Sequence, residues 1–111
     1  MLKLGTKGSS DGQFDSPRGI AVDGARNFFV ADTGNNRVQR FTTSWNFITE
    51  WGTPGSDAGE FNSPGGIAVS GSGVIFVTDV GNHRVQKFNT IGQFFGKWGN
   101  RGSAEGEFRL T

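Results

Sequence analysis

The feature that most constrains this chain is an internal repeat of 47 residues. Residues 8–54 align with residues 55–101 without a gap, and 24 of the 47 positions are identical. The first unit opens Gly-Ser-Ser-Asp-Gly-Gln-Phe (8–14) and the second Gly-Ser-Asp-Ala-Gly-Glu-Phe (55–61). A further opening begins at Gly102 and runs through Phe108, and Leu4-Gly5 aligns with Trp51-Gly52 and Trp98-Gly99. The chain therefore divides into the tail of one unit (1–7), two whole units (8–54 and 55–101) and the start of another (102–111). A period of this length is the mark of a protein built by stacking one supersecondary unit against the next.

Each unit reads as four short strands. In the first they are Gly19 to Val22, Phe28 to Ala31, Arg37 to Phe41 and Phe47 to Trp51; in the second, Gly66 to Val69, Ile75 to Thr78, Arg84 to Phe88 and Phe94 to Trp98. Clusters of Gly, Asn, Asp and Ser separate them and mark turns. The first two strands are apolar at nearly every position, the pattern of a strand buried on both faces. The third and fourth alternate, so burial is expected to fall from the first strand to the last. No window carries a helical period, and helix content should be near nil. The expected fold class is all-β, made of four-stranded antiparallel β-propeller blades.

Propellers close a ring of about four to eight such blades. Two blades cannot close one, and an isolated pair leaves apolar faces and strand edges open to association. Several copies should then complete one ring, most simply three chains of two blades, a homotrimer. The alternative is a piece of a longer propeller, or an amplified or designed repeat with no selected ligand.

The segments SPRGIAVD (16–23) and FFVADTGNNRVQRF (28–41) recur as SPGGIAVS (63–70) and IFVTDVGNHRVQKF (75–88), each followed by a strand ending Trp-Gly. These segments resemble the NHL repeat, marked by a Pro-x-Gly-Ile-Ala-Val strand and an Asp-x-x-Asn-x-Arg-Val core. The resemblance covers practically the whole chain and implies a six-bladed propeller, hence two blades per chain and three chains per ring. Ser70 departs from Asp23 in a loop that should not disturb the fold. The family spans RNA-binding and protein-binding domains, sensor domains and a metal-dependent lyase, so membership alone chooses no function.

Composition removes several chemistries. There is no cysteine and a single His, so thiolate sites and any multi-His metal centre within one chain are excluded. A formal net charge of +1 lacks the basic field of a nucleic-acid binder, which disfavours that partner. No apolar run reaches the ~18 residues of a membrane helix, and the first residues do not read as a signal peptide, which is compatible with the cytoplasm.

Asp32 and Arg37, repeated as Asp79 and Arg84, bracket the Gly- and Asn-containing turn between the second and third strands. They read as structural hairpin pairs facing each other across the strands. A calcium loop would need a Glu eleven residues after the first Asp, where Thr43 and Thr90 stand. Phe14, Phe61, Phe108, Trp51 and Trp98 recur at fixed repeat positions, as blade-packing residues do. Trp45 has no counterpart, Gly92 taking its place, and reads as a turn residue open to solvent. His83 stands where the first unit has Asn36 and reads as a turn filler, with no Gly-x-Ser-x-Gly elbow in the chain.

No set of nucleophile, base and oxyanion donors assembles, so neither a catalytic residue, a metal site nor a cofactor is expected. The turn between the second and third strands and the connection into the first emerge on one face of a propeller. That puts Arg18, Asn36, His83 and Arg101 on one rim as candidate binding residues. The expected function is a non-catalytic propeller scaffold that binds a protein or peptide partner through that face; RNA binding and a metal-dependent lyase rank below it.

Overall fold

The computed structural model describes residues 8–98. The expectations for Arg101, Phe108 and the terminal segments 1–7 and 102–111 lie outside the described residues, as does the side chain of Trp98. Eight strands form, β1 (Gly19–Val22), β2 (Phe28–Asp32), β3 (Arg37–Phe41), β4 (Phe47–Trp51), β5 (Pro64–Val69), β6 (Ile75–Asp79), β7 (Arg84–Phe88) and β8 (Phe94–Trp98). They make two four-stranded antiparallel sheets in the orders β1-β2-β3-β4 and β5-β6-β7-β8.

The turns explain the meander. Between β1 and β2, Asp23 Oδ1 accepts the Ala25 and Asn27 N–H groups, both at 2.9 Å. Ser70 Oγ takes over in the second sheet, accepting from Val74 N at 3.0 Å, so the Asp-to-Ser departure keeps an oxygen where the turn needs one. Between β2 and β3 the chain makes a single 3-10 turn, Thr33–Asn35 in one sheet and Val80–Asn82 in the other. Asn36 and His83 close these turns with the same left-handed backbone, φ 53° and ψ 50°. A bulge at Arg40/Phe41 recurs at Lys87/Phe88.

Strand pairing sorts each sheet into two faces. In the first, Ile20, Val22, Phe28, Val30, Gln39 and Phe41 lie on one face, and Phe29, Ala31, Val38, Arg40 and Trp51 on the other. The core joins the second of these faces to the first-type face of the other sheet: Phe29 and Val38 pack with Phe61, Ile75, Val77 and Phe88, flanked by Trp51, Ile67, Val69 and Phe94. Arg40 crosses this seam, lying over the Phe29 ring at 5.5 Å and donating to Thr90 O at 2.9 Å.

Three expectations about burial need correction. β1 is not the most buried strand: Ile20 and Val22 are 57% and 49% exposed. It lies at a sheet edge, on a face that neither sheet of this chain covers. Conversely, β3 is buried at Arg37, Val38, Gln39 and Phe41 and does not alternate. Arg37 and Gln39 are polar in sequence yet turn inward, because the preceding connection wraps over them and supplies backbone acceptors. Trp45 differs as well; it is half-buried, stacked on Phe28 with ring centroids 4.2 Å apart.

Candidate functional site at the junction of the two sheets

The end of each sheet where its second strand turns into its third is organised around one buried carboxylate. Asp32 Oδ2 accepts from Arg37 Nε (2.7 Å), Asn35 Nδ2 (3.0 Å) and Gln39 Nε2 (3.2 Å), while Oδ1 accepts the Asp15 N–H (2.8 Å). Arg37 spends its other donors on Ser9 O, Ser10 O, Gln13 O and the Glu50 carboxylate. The second sheet repeats the arrangement. Asp79 Oδ2 accepts from Arg84 Nε (2.8 Å), Asn82 Nδ2 (2.9 Å) and Gln86 Nε2 (3.2 Å), and Oδ1 accepts from Asn62 N (2.6 Å). Arg84 donates to Ser56 O, Asp57 O and Glu60 O.

Both Asp side chains are wholly buried, and their lone pairs are taken up by protein donors. Such a group holds the connection on the hairpin; the oxygens that a metal or a general acid would use are already engaged. Among the described residues, no three His, Asp or Glu side chains converge as a metal site would require.

The connections and the hairpin tips are tied together directly. Gly34 N donates to Asp15 O, and Gly81 N to Asn62 O, each at 2.7 Å. Thr33 Oγ1 donates to Pro64 O at 2.6 Å, and Ser63 N donates to Asn36 Oδ1 at 2.8 Å, both across the two sheets. Between these ties lies an open pocket of about 420 Å³, lined by Asn36, Pro54, Gly55, Ser56, Phe61, Asn62 and Asn82. Phe61 gives it a buried aromatic wall, and Asn82 Nδ2 donates to Gly55 O at 2.8 Å. No charged side chain lines it.

Of the rim residues read from sequence, Asn36 lines this pocket. His83 follows Asn82 at the tip of the second hairpin, half-buried and outside the pocket lining. Arg18 is exposed ahead of β1 and is not part of it. Asn62 and Asn82 were not singled out by the sequence reading. The signal that could have found them is the repeat register itself, which sets Asn62 opposite the Gly81 turn just as Asp15 sits opposite Gly34.

Among proteins of known family, the NHL repeat model matches residues 14–41 and 61–88, half of the chain. The chain is an NHL-repeat protein with the blade fold of a β-propeller. Protein lin-41 of Caenorhabditis elegans is 46% identical over 50 residues, which is 45% of this chain and 4% of lin-41. Protein brain tumor of Drosophila melanogaster is 42% identical over 45 residues, 40% of this chain and 4% of that protein. The chain thus spans only a twentieth or less of these relatives.

Two solved structures share the fold. Streptogramin B lyase has a TM-score of 0.61 at 15% identity, covering 74% of this chain and 26% of that one. A Bacteroides fragilis protein described as exported reaches a TM-score of 0.69 at 24% identity, covering 86% and 27%. At these identities the likeness speaks for architecture alone. Among the described residues, no helix is long and apolar enough to cross a membrane.

Proposed function

We propose that this chain is a non-catalytic NHL propeller scaffold that binds a protein or peptide segment on the face formed by the hairpin tips and connections. The observation that carries this reading is the amide-lined pocket of Asn36, Asn62 and Asn82 over the Phe61 ring. Neutral amides suit a peptide backbone, whereas a phosphate-rich ligand would call for clustered cations; Asn82 serves as a wall of the pocket, its Nδ2 donors being spent on Asp79 and Gly55 O. The rim residues Arg18 and His83 flank that face in the same reading.

The scaffold works as a ring in this proposal, with three copies closing six blades. The support is the repetition of faces. Phe29, Ala31 and Val38 are buried against the other sheet, while their counterparts Phe76, Thr78 and Val85 are half-buried. Ile75 is wholly buried, and its counterpart Phe28 is not. Each free face thus matches one that this chain already packs.

A peptide library selected on the chain tests the ligand reading. Amide shift changes on binding should cluster at Asn36, Asn62 and Asn82. Asn36→Gly, which keeps a left-handed residue, should weaken a selected peptide about tenfold, the effect of ~1.4 kcal/mol in one lost polar contact. Shifts confined to another surface would refute the assignment.

A further inference from the structure

One aromatic cluster is built twice in this chain, and its tryptophan arrives by two different routes. Around Phe41 stand Phe14 (5.8 Å, 55°) and Phe47 (6.0 Å, 74°); around Phe88 stand Phe61 (5.6 Å, 50°) and Phe94 (6.0 Å, 71°). Phe88 also receives Trp51, at 5.6 Å and 44°, from the neighbouring blade. Phe41 receives a tryptophan at nearly the same distance and tilt, 5.7 Å and 52°, but it is Trp45, from the β3–β4 turn of its own blade.

Trp45 occupies a backbone position suited to glycine. Its φ is +64°, and its counterpart Gly92 has φ +89°. A bulky residue in that region is an outlier that surrounding structure must hold in place, here by the stack on Phe28 at 4.2 Å and 5°. Gly92 also shows what this position faces in the assembled junction. A Cβ placed there would come within 2.6 Å of the Trp51 ring, closer than carbon atoms approach without something moving. At position 45 that Cβ is present and carries an indole.

We propose that Trp45 is a latch on the open face of the first blade. It fills the slot on Phe41 that corresponds to the one Trp51 takes on Phe88, the slot an incoming blade of a second copy has to enter. Docking therefore requires Trp45 to leave Phe28 and Phe41 and the turn that carries its Cβ to shift. The occupant of the face is a second copy because the chain's other end presents the matching surface, Phe76 and Val85 standing where Phe29 and Val38 make the internal seam. This inference rests on the ring-closure reading above and adds the residue that controls it.

The test is light scattering against concentration for the wild-type chain, Trp45→Gly and Trp45→Asn, with far-UV circular dichroism to establish that each is folded. Asparagine tolerates the left-handed backbone, so the second variant guards against loss of fold in the first. Trp45→Gly should form the trimer at concentrations at least tenfold lower than the wild type, and Trp45→Asn, which loses the indole but keeps the Cβ, should gain less. Adding Phe76→Lys on the opposite face should abolish the gain.

Folded variants that associate no better than a trimeric wild type would overturn the latch and leave ring closure standing. Association that survives Phe76→Lys would overturn the assigned surface. If all chains stay monomeric, ring closure falls and the latch with it, and the face belongs to other blades of a longer chain.

Discussion

Arg37 Nε sits 2.7 Å from Asp32 Oδ2, with the aspartate side chain wholly buried and the arginine side chain 7% exposed. Two charges removed from water must be compensated fully, and here they are: all five N–H groups of Arg37 donate, to two carboxylates and three backbone carbonyls. The pair is thus the pin that fastens the incoming connection to its blade.

Removing one member leaves the other buried and uncompensated. Asp32→Ala and Asp79→Ala should each cost about 3–5 kcal/mol, read by chemical denaturation. Arg37→Lys should also destabilise, by about 2 kcal/mol, because an ammonium cannot reproduce the planar fork that reaches Ser9, Ser10 and Gln13. A loss below about 1 kcal/mol in the aspartate variants would mean the connection is held by something else.

Glu50 touches the same guanidinium at 2.9 Å, but its side chain is 37% exposed. Its counterpart is Lys97, so the second blade does without this contact. Glu50→Ala should cost under about 1 kcal/mol, and the difference should shrink further in high salt.

Trp51 lies 6.3 Å from Phe29 in its own sheet and 5.6 Å from Phe88 in the next. It is the aromatic bridge of the seam, although its indole Nε1 is buried without a hydrogen-bond partner. Trp51→Ala should lower stability by about 3 kcal/mol. Trp51→Phe should recover much of that, since it restores ring contact and removes the unpaired donor. Equal losses in the two variants would show that the ring contacts are not what the site needs.

Gly92 gives a complementary test on the same contact. Gly92→Ala combines a left-handed Cβ, worth about 1–2 kcal/mol, with a clash against the Trp51 ring. The double change with Trp51→Ala should cost less than the sum of the singles, which a thermodynamic cycle measures. Strict additivity would place the two residues out of contact.

The repeat made the strands and their turns readable, because Gly-Ile-Ala-Val and Phe-Val-x-Asp recur at one spacing with turn residues between them. The parts that were not legible depend on neighbours rather than on local pattern. Ile20 and Val22 look like core in sequence and are exposed, since burial of β1 needs another blade beside it. Arg37 and Gln39 look like surface and are buried, since their partners are carbonyls 24–28 residues earlier.

The packing of Trp45 had no repeat counterpart to compare, and only the stack on Phe28 reveals it. Asn36 could be named from its turn. The pocket it shares with Asn62 and Asn82 arises from the way one blade leans on the next, which spacing along the chain does not encode.

The central claim is that the two free blade faces are each other's partners in a closed ring. Light scattering on a sizing column tests it most directly. The account predicts a species near 36 kDa, three times the 11.9 kDa chain, at the highest workable concentration. A mass that stays at about 12 kDa at every concentration would contradict it.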